Sequence, residues 1–375
     1  TLNGAGSVVG VLKAGTTALT NSRGISLDDG TNTISLNGTS TVSGIYGIYL
    51  SGGSTGITLN DASSILGGER GISFSSSTVV ANVALTGTSK VTGTYGFYAS
   101  GGTNTITLGG TSLVDATDRG IYLISGTNNV TLNSGSTVQG GGYAVYLSGG
   151  TNTVTLGAGS TVQGSTAGDV VYMTGGVNTV RVETGATVSG SIRGGLTSAG
   201  GSETLNLFGT GTGILPTITN FEGINVQAGD WTANQAFFVT ANGATISSGA
   251  TLRLGDGGTL GSIGGSIVNE GALVFNRSNV SNQTTGDAIS GTGTLTITGG
   301  GTFALDGANN YSGATTITNG TLRADSANAL SAASIYSIAA AGTLNINGFN
   351  QTVLGFSGAG AVQLGAGGGT LTTGT

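Results

Sequence analysis

A four-residue phrase returns about every 24 residues through the first half of the chain, and its period rules out most folds before any motif is weighed. Gly24-Ile25-Ser26-Leu27, Gly47-Ile48-Tyr49-Leu50, Gly71-Ile72-Ser73-Phe74, Gly96-Phe97-Tyr98-Ala99, Gly120-Ile121-Tyr122-Leu123 and Ala144-Val145-Tyr146-Leu147 are separated by 23, 24, 25, 24 and 24 residues. A period in this range belongs to solenoids, in which each repeat buries its apolar face only against its neighbours. The 375 residues are therefore not divided into ordinary domains. Composition alone points elsewhere, since 75 glycines amid abundant Ser and Thr resemble a disordered tract. The period overrides that reading. Collagen fails because Gly does not recur every third residue, and no apolar run is long enough for a membrane helix.

Within a repeat the apolar residues alternate in three short runs bounded by Gly and Asn, the pattern of strand, turn, strand, turn, strand. Ile121 and Leu123 face one way with Tyr122 opposite, Val130 and Leu132 face inward in the next run, and Val138 does so in the third. Such a unit is one coil of a parallel β-helix. Ile34, Ile57, Val83, Ile106, Val130, Val154 and Val180 form one predicted inward file, and Leu36, Leu59, Leu85, Leu108, Leu132, Leu156 and Val182 the next. Asn32, Asn104, Asn128, Asn152 and Asn178 precede the second strand, where Asn tolerates a left-handed turn and bonds its stacked copies.

Past residue 200 the phrases Gly249-Ala-Thr-Leu, Gly271-Ala-Leu-Val, Gly293-Thr-Leu-Thr, Gly320-Thr-Leu-Arg, Gly342-Thr-Leu-Asn and Gly369-Thr-Leu-Thr recur at steps of 22, 22, 27, 22 and 27. Between the two rhythms lie the only proline, Pro216, the only tryptophan, Trp231, and Phe208, Phe221, Phe237 and Phe238, expected to plug a widened core. The organisation predicted is a regular helix with coils of about 24 residues over 1–205, aromatic-rich transition coils over 206–248, and coils of about 22 to 27 residues over 249–375.

The stretch GTGTLTITGGGTFALDGANNYSGATTITNGTL, residues 291–322, resembles the β-strand repeat of bacterial autotransporter passengers, with Asn310, Tyr311, Gly313, Thr315, Thr316, Ile317, Gly320, Thr321 and Leu322 on its pattern. NFEGINVQAGDW at 220–231 and GALVFNRSN at 271–279 resemble phrases common in the same passengers. Over residues 1–200 the likeness is one of repeat style and composition. It implies an all-β fold, a right-handed parallel β-helix, here of roughly 15 coils, exported to the outer surface of a Gram-negative bacterium or secreted. The sequence shows neither a signal peptide nor the amphipathic strands of an outer-membrane barrel, so the chain is expected to be a passenger fragment whose parent supplies the barrel.

Missing residue types narrow the chemistry. There is no His and no Cys, so a Ser-His-Asp triad and a Cys-His pair are excluded and the common zinc sites lose their usual ligands. Asp28, Asp29, Asp61, Asp115, Asp118 and Asp169 fall at differing repeat positions, which does not stack the paired carboxylates of a polysaccharide-cleaving β-helix. Gly255-Asp-Gly-Gly258 matches neither a phosphate loop nor a calcium repeat and reads as a turn. No catalytic residue, metal or cofactor is expected, and ten Lys and Arg against sixteen Asp and Glu leave no basic patch for nucleic acid.

Outward columns are where function remains. Ser26, Tyr49, Ser73, Tyr98, Tyr122, Tyr146 and Tyr172 form one file, and Arg23, Tyr46, Arg70, Tyr95, Arg119 and Tyr143 form another; the two hold eight of the ten tyrosines. They read either as a structural ladder of stacked rings and guanidiniums or as an aromatic platform for a glycan, a matrix or host-cell surface protein, or another copy of the chain. The favoured function is a surface adhesin or self-association protein, with a passive stalk as the alternative. A degradative enzyme ranks lower because the catalytic groups are missing, and an ice-binding helix because the Thr105-x-Thr107 and Thr153-x-Thr155 grid is broken by Gly56, Ala84 and Arg181.

Overall fold

The computed structural model describes residues 7–9, 22–164, 168–195, 202–235, 242–282 and 287–374. Among these residues there are strands and turns but no helix, and the strands wind as a parallel β-solenoid of about 14 turns. Two compact units divide at Glu203 and Thr204.

In the first unit one sheet stacks Thr31–Leu36, Ser54–Leu59, Val80–Leu85, Thr103–Leu108, Thr127–Leu132, Thr151–Leu156 and Val177–Glu183 in that order. Their registers pair the Ile34-to-Val180 file residue by residue, and the Leu36-to-Val182 file likewise. Every member is buried, so the alternation written in the sequence is the inward and outward alternation of the pleat. Parallel pairing in strict register is what lets identical aliphatic residues meet coil upon coil. Each buried Leu or Val contributes about 1.5 to 3 kcal/mol.

The other sheet departs from the expected two short strands per coil. Thr41–Leu50, Ser64–Phe74, Lys90–Ala99 and Leu113–Leu123 are continuous strands of 10 or 11 residues, bent by a shift of register such as that between Ala116 and Arg119. A bulge turns the chain without ending the ladder. The phrase-leading glycine makes the bend possible: a Cβ on Gly120 would lie 2.5 Å from Cγ1 of Val138 and 2.6 Å from the Ala144 carbonyl oxygen. The later coils do break there, into Thr137–Gly140 and Tyr143–Leu147.

The turn entering the first sheet carries the left-handed backbone. Gly30, Gly53, Gly102, Gly126, Gly150 and Gly176 have φ between 71° and 91°, and a Cβ on Gly126 would lie 2.3 Å from the Gly102 carbonyl oxygen. The left-handed residue is thus a glycine two places ahead of Asn128, which corrects the assignment of that role to the Asn file. The asparagines sit within the strand with their side chains turned inward, and Asn104, Asn128, Asn152 and Asn178 are buried. A file of buried serines, Ser40, Ser63, Ser89, Ser112, Ser136 and Ser160, stands at the following turn. The repeated Ser was a signal the sequence reading passed over.

In the second unit Gly223–Val226, Ala244–Ile246, Ile267–Asn269 and Ile289–Ser290 stack in one sheet. Thr212–Ile214, Asp230–Ala233, Thr251–Leu254, Ala272–Asn276 and Thr294–Thr298 stack in the other. Trp231 is 2 % exposed and fills the space above Gly213, where a Cβ would meet its ring at 2.6 Å. Its indole N–H donates to the Ala228 carbonyl at 3.0 Å. Phe221 is buried and Phe208 half-buried, while Phe237 and Phe238 lie outside the described residues.

The Gly-Thr-Leu phrases of this unit do not form one column. Leu252, Leu273 and Leu295 are in register, but Leu295 then pairs with Thr315, and Leu322 pairs with Phe303. Leu371 pairs with Gln351 rather than with Leu344. Each 27-residue step is therefore a coil plus a strand, which carries the phrase from one part of the coil to the next.

Candidate functional site

The outward face of the bulged sheet gathers the aromatic and charged residues. Strand register places Arg23, Tyr46, Arg70, Tyr95, Arg119 and Tyr143 in one file and Ser26, Tyr49, Ser73, Tyr98, Tyr122, Tyr146 and Tyr172 in the next, as the spacing predicts. The tyrosines are half-buried. Bulges bring the two files within ring contact, because the residue after Arg or Tyr points inward and the third points outward again.

Consecutive rings touch along the second file. Tyr98 and Tyr122 centroids lie 5.4 Å apart, Tyr122 and Tyr146 5.1 Å, and Tyr146 and Tyr172 5.4 Å, all edge to face. Tyr143 stacks on Tyr172 at 5.3 Å and 24°. Edge-to-face pairs put the positive rim of one ring on the negative face of the next and contribute about 0.5 to 1.5 kcal/mol each. Guanidiniums fill the gaps: Arg23 lies 3.6 Å over Tyr49, Arg70 3.7 Å over Tyr98, and Arg119 4.3 Å from both Tyr122 and Tyr146. Arg193, in register with Tyr172 and 5.1 Å over its ring, extends the pattern by a coil. Its 21-residue step from Tyr172 put it off the period and hid it from the sequence reading.

Charges on this face are largely neutralised. Arg70 pairs with Glu69 at 3.3 Å, Lys90 with Asp115 at 2.7 Å, Arg119 with Asp118 at 3.8 Å and Arg193 with Asp169 at 3.5 Å. Lys90, Gln139 and the backbone register hold Asp115 in a short ladder in which Gln139 donates to Asp115 at 2.6 Å and Gln163 donates to Gln139 at 2.6 Å. The hydrogen bonds from Lys90 and Gln139 hold the Asp115 carboxyl below the usual carboxylate value. The Tyr46 hydroxyl donates to Glu69 at 3.0 Å. Burial first, and then the Glu69 carboxylate, push its pKa up, while burial, Tyr172 and Asp169 do the same for Tyr143. Both phenols stay protonated at neutral pH and present hydroxyl groups. Among the described residues no cluster of three acidic side chains stands ready for a metal. Asp28, Asp29 and Asp61 lie on exposed turns, where Asp28 accepts from Ser51 and Asp61 from the Gly38 N–H.

The residues that carry the family resemblance are structural. Tyr311 is fully buried, its hydroxyl 2.9 Å from Thr315 Oγ1 and 3.4 Å from the Tyr336 hydroxyl. Thr315, Ile317 and Leu322 are buried, and Gly320 has a φ of 97°. Asn310 is exposed; its neighbour Asn309 is the buried anchor, accepting from the Ile289 N–H at 2.7 Å and donating to the Ala329 carbonyl at 2.8 Å.

Residues 295–324 match the family model of the passenger-associated-transport-repeat. The chain thus carries a repeat of the passenger-associated kind on parallel β coils. A stretch of 58 residues is 57% identical to the adhesin BmaC autotransporter of Brucella suis biovar 1 (strain 1330), spanning 16% of this chain and 2% of that protein. No solved structure matches the chain.

Proposed function

We propose that this chain is part of a surface-exposed passenger that acts as an adhesin or self-association protein outside a Gram-negative cell, and that it is not an enzyme. The observation that supports this reading is the two-file face of Tyr46, Tyr49, Tyr95, Tyr98, Tyr122, Tyr143, Tyr146 and Tyr172, an aromatic surface carried on rigid strands. Half-exposed tyrosines supply contact area and hydroxyl groups at little cost in conformational entropy. The adhesin named among the similar proteins lends support from a short aligned stretch. We read the solenoid as right-handed and close to 15 coils long, with its aromatic-rich residues over 206–248 as the transition between two coil types. Partners of this face are a host-cell or matrix component, a glycan, or a second copy.

Changing Tyr98, Tyr122, Tyr146 and Tyr172 to Ser tests the reading, because Ser26 and Ser73 already occupy the same file without disturbing register. Adherence to host cells and sedimentation of bacteria displaying the chain are compared at matched surface levels. Loss of either with an unchanged melting transition supports the proposal. Equal behaviour of both proteins leaves the tyrosines as a structural ladder and favours the passive stalk.

A further inference from the structure

We infer that the Tyr98-to-Tyr172 file is a binding track for an extended, uncharged polysaccharide laid along the stacking direction, one sugar ring to each coil. The inference rests on the adhesive reading of this face and names its ligand. Three features of the face select the ligand class.

The first is the step. Four consecutive rings are spaced 5.4, 5.1 and 5.4 Å apart, so a partner that meets every ring must repeat with nearly that distance. A 1,4-linked pyranose, with bonds near 1.5 Å, advances by roughly 5 Å per ring. An extended peptide returns a side chain to the same face only about every 6.6 Å and drifts out of step within two coils. Nucleotides in a stacked strand advance about 3.4 Å and match no better.

The second is charge. Four of the five cations on this face are already ion-paired with carboxylates within reach of their own coil or its neighbour. Binding of a polyanion depends on cations free to release counterions, and the remaining one, Arg23, donates to Ser26 at 3.1 Å beside the Tyr49 ring. A neutral chain meets no such deficit.

The third is the mix of groups. Phenol faces and edges offer apolar contact to the C–H faces of a sugar. Arg119, 4.3 Å from two rings, offers several N–H donors in a plane beside them, and the Asp118 and Glu69 carboxylates accept from hydroxyl groups. Apolar rings turned alternately edge to face and flanked by planar donors and acceptors suit a polyhydroxylated ring.

The test is calorimetric titration of the whole chain with cello-oligosaccharides and chito-oligosaccharides, from the monosaccharide to the hexasaccharide, at low and at high salt. Affinity is expected to rise with each sugar up to four rings and then level off, to hold at high salt, and to fall about tenfold or more in Tyr122→Ser, a change of about 1.4 kcal/mol. Tyr122→Phe keeps the ring and is expected to retain most of the affinity, which separates lost contact from lost folding. The inference is overturned if neither series binds, if affinity ignores chain length, or if heparin oligosaccharides bind better and are displaced by salt. Cell adherence that depends on the four tyrosines while no neutral oligosaccharide binds overturns this inference and leaves the adhesive reading standing.

Discussion

Asn128 donates one amide hydrogen to Oδ1 of Asn152 across 2.8 Å and the other to the Ser125 carbonyl at 3.1 Å. The same two bonds recur at Asn104 and Asn152, and Asn178 ends the series by donating to Glu203 at 3.1 Å. Every amide points the same way, so the bonds polarise one another along the stack. At the other end the ladder stops at Ala81, which pairs in register with Asn104 on one side and Thr55 on the other. The Asn104 Oδ1 and Thr55 Oγ1 atoms are both buried there without a hydrogen-bond partner.

Ala81→Asn is therefore expected to stabilise the first unit. The new amide would donate to Asn104 and accept from the Thr55 hydroxyl, satisfying two buried atoms whose isolation costs about 1 to 3 kcal/mol each. A net gain of about 1 kcal/mol or more in unfolding free energy, seen as a higher denaturant midpoint, is the expected result, and a lower midpoint refutes it. Asn128→Ala, which opens the ladder in its middle, should lower the unfolding free energy by about 1 to 3 kcal/mol and the midpoint with it.

Leu132→Asp puts a carboxylate between Leu108 and Leu156, all three of them essentially unexposed. With no partner in reach it costs several kcal/mol. Cooperative unfolding should shift to markedly lower denaturant, and an unchanged midpoint contradicts the assignment of this file to the core.

Arg277 organises the turn around residues 255–262 through neutral acceptors: it donates to the Gly261 carbonyl at 2.7 Å, to Ser281 at 3.0 Å and to Asn279 at 3.1 Å. Burial lowers its pKa, yet a guanidinium stays charged at any ordinary pH. Arg277→Lys keeps the charge but not the fork of donors, and should destabilise the second unit by about 1.5 to 3 kcal/mol. Faster amide exchange at 259–261 in the variant is the local check. Identical stability and exchange would show that charge alone suffices.

Alkaline pH should unfold the second unit through Tyr311 and Tyr336. Burial raises both pKa values above the ordinary 10.0, and for Tyr336 the neighbouring Tyr311 adds to it. Because the folded values exceed the unfolded one, the stability tied to the neutral phenols is whole below pH 10.0 and is lost as pH rises through the folded values. Phenolate absorbance should appear together with the loss of sheet signal above that pH. Ionisation of all ten tyrosines before any unfolding is the contrary outcome.

The legible part of the fold was the part governed by strict repetition. Ile106, Val130 and Val154 announce one another because each occupies the same place in a coil of constant length, and the Tyr98-to-Tyr172 file was read the same way. Where coil length varies, the period misleads: Leu322 stands on Phe303, which no Gly-Thr-Leu spacing reveals. Direction of a side chain was harder than position. Asn128 was placed correctly but given the backbone role of Gly126, because Asn and Gly both favour left-handed turns and the sequence does not say which turns inward. Arg193 was missed because its coil is short, and Glu69 and Asp118, each the residue before its arginine, because they lie in the bulges, where the alternation of inward and outward residues breaks.

Register between Thr127–Leu132 and its neighbours is complete: each residue finds its counterpart 24 positions earlier at Thr103–Leu108 and 24 positions later at Thr151–Leu156. In hereditary terms this sets the unit in which such a chain can change length. Duplicating or excising a segment of one coil brings every side chain back against an equivalent neighbour, so recombination between repeats yields a foldable product. Loss of a few residues instead slides the whole downstream stack, and a shift by one turns a buried file to solvent. Length variants of this protein are thus expected to come in whole coils, each adding or removing one rung of whatever the outer face binds.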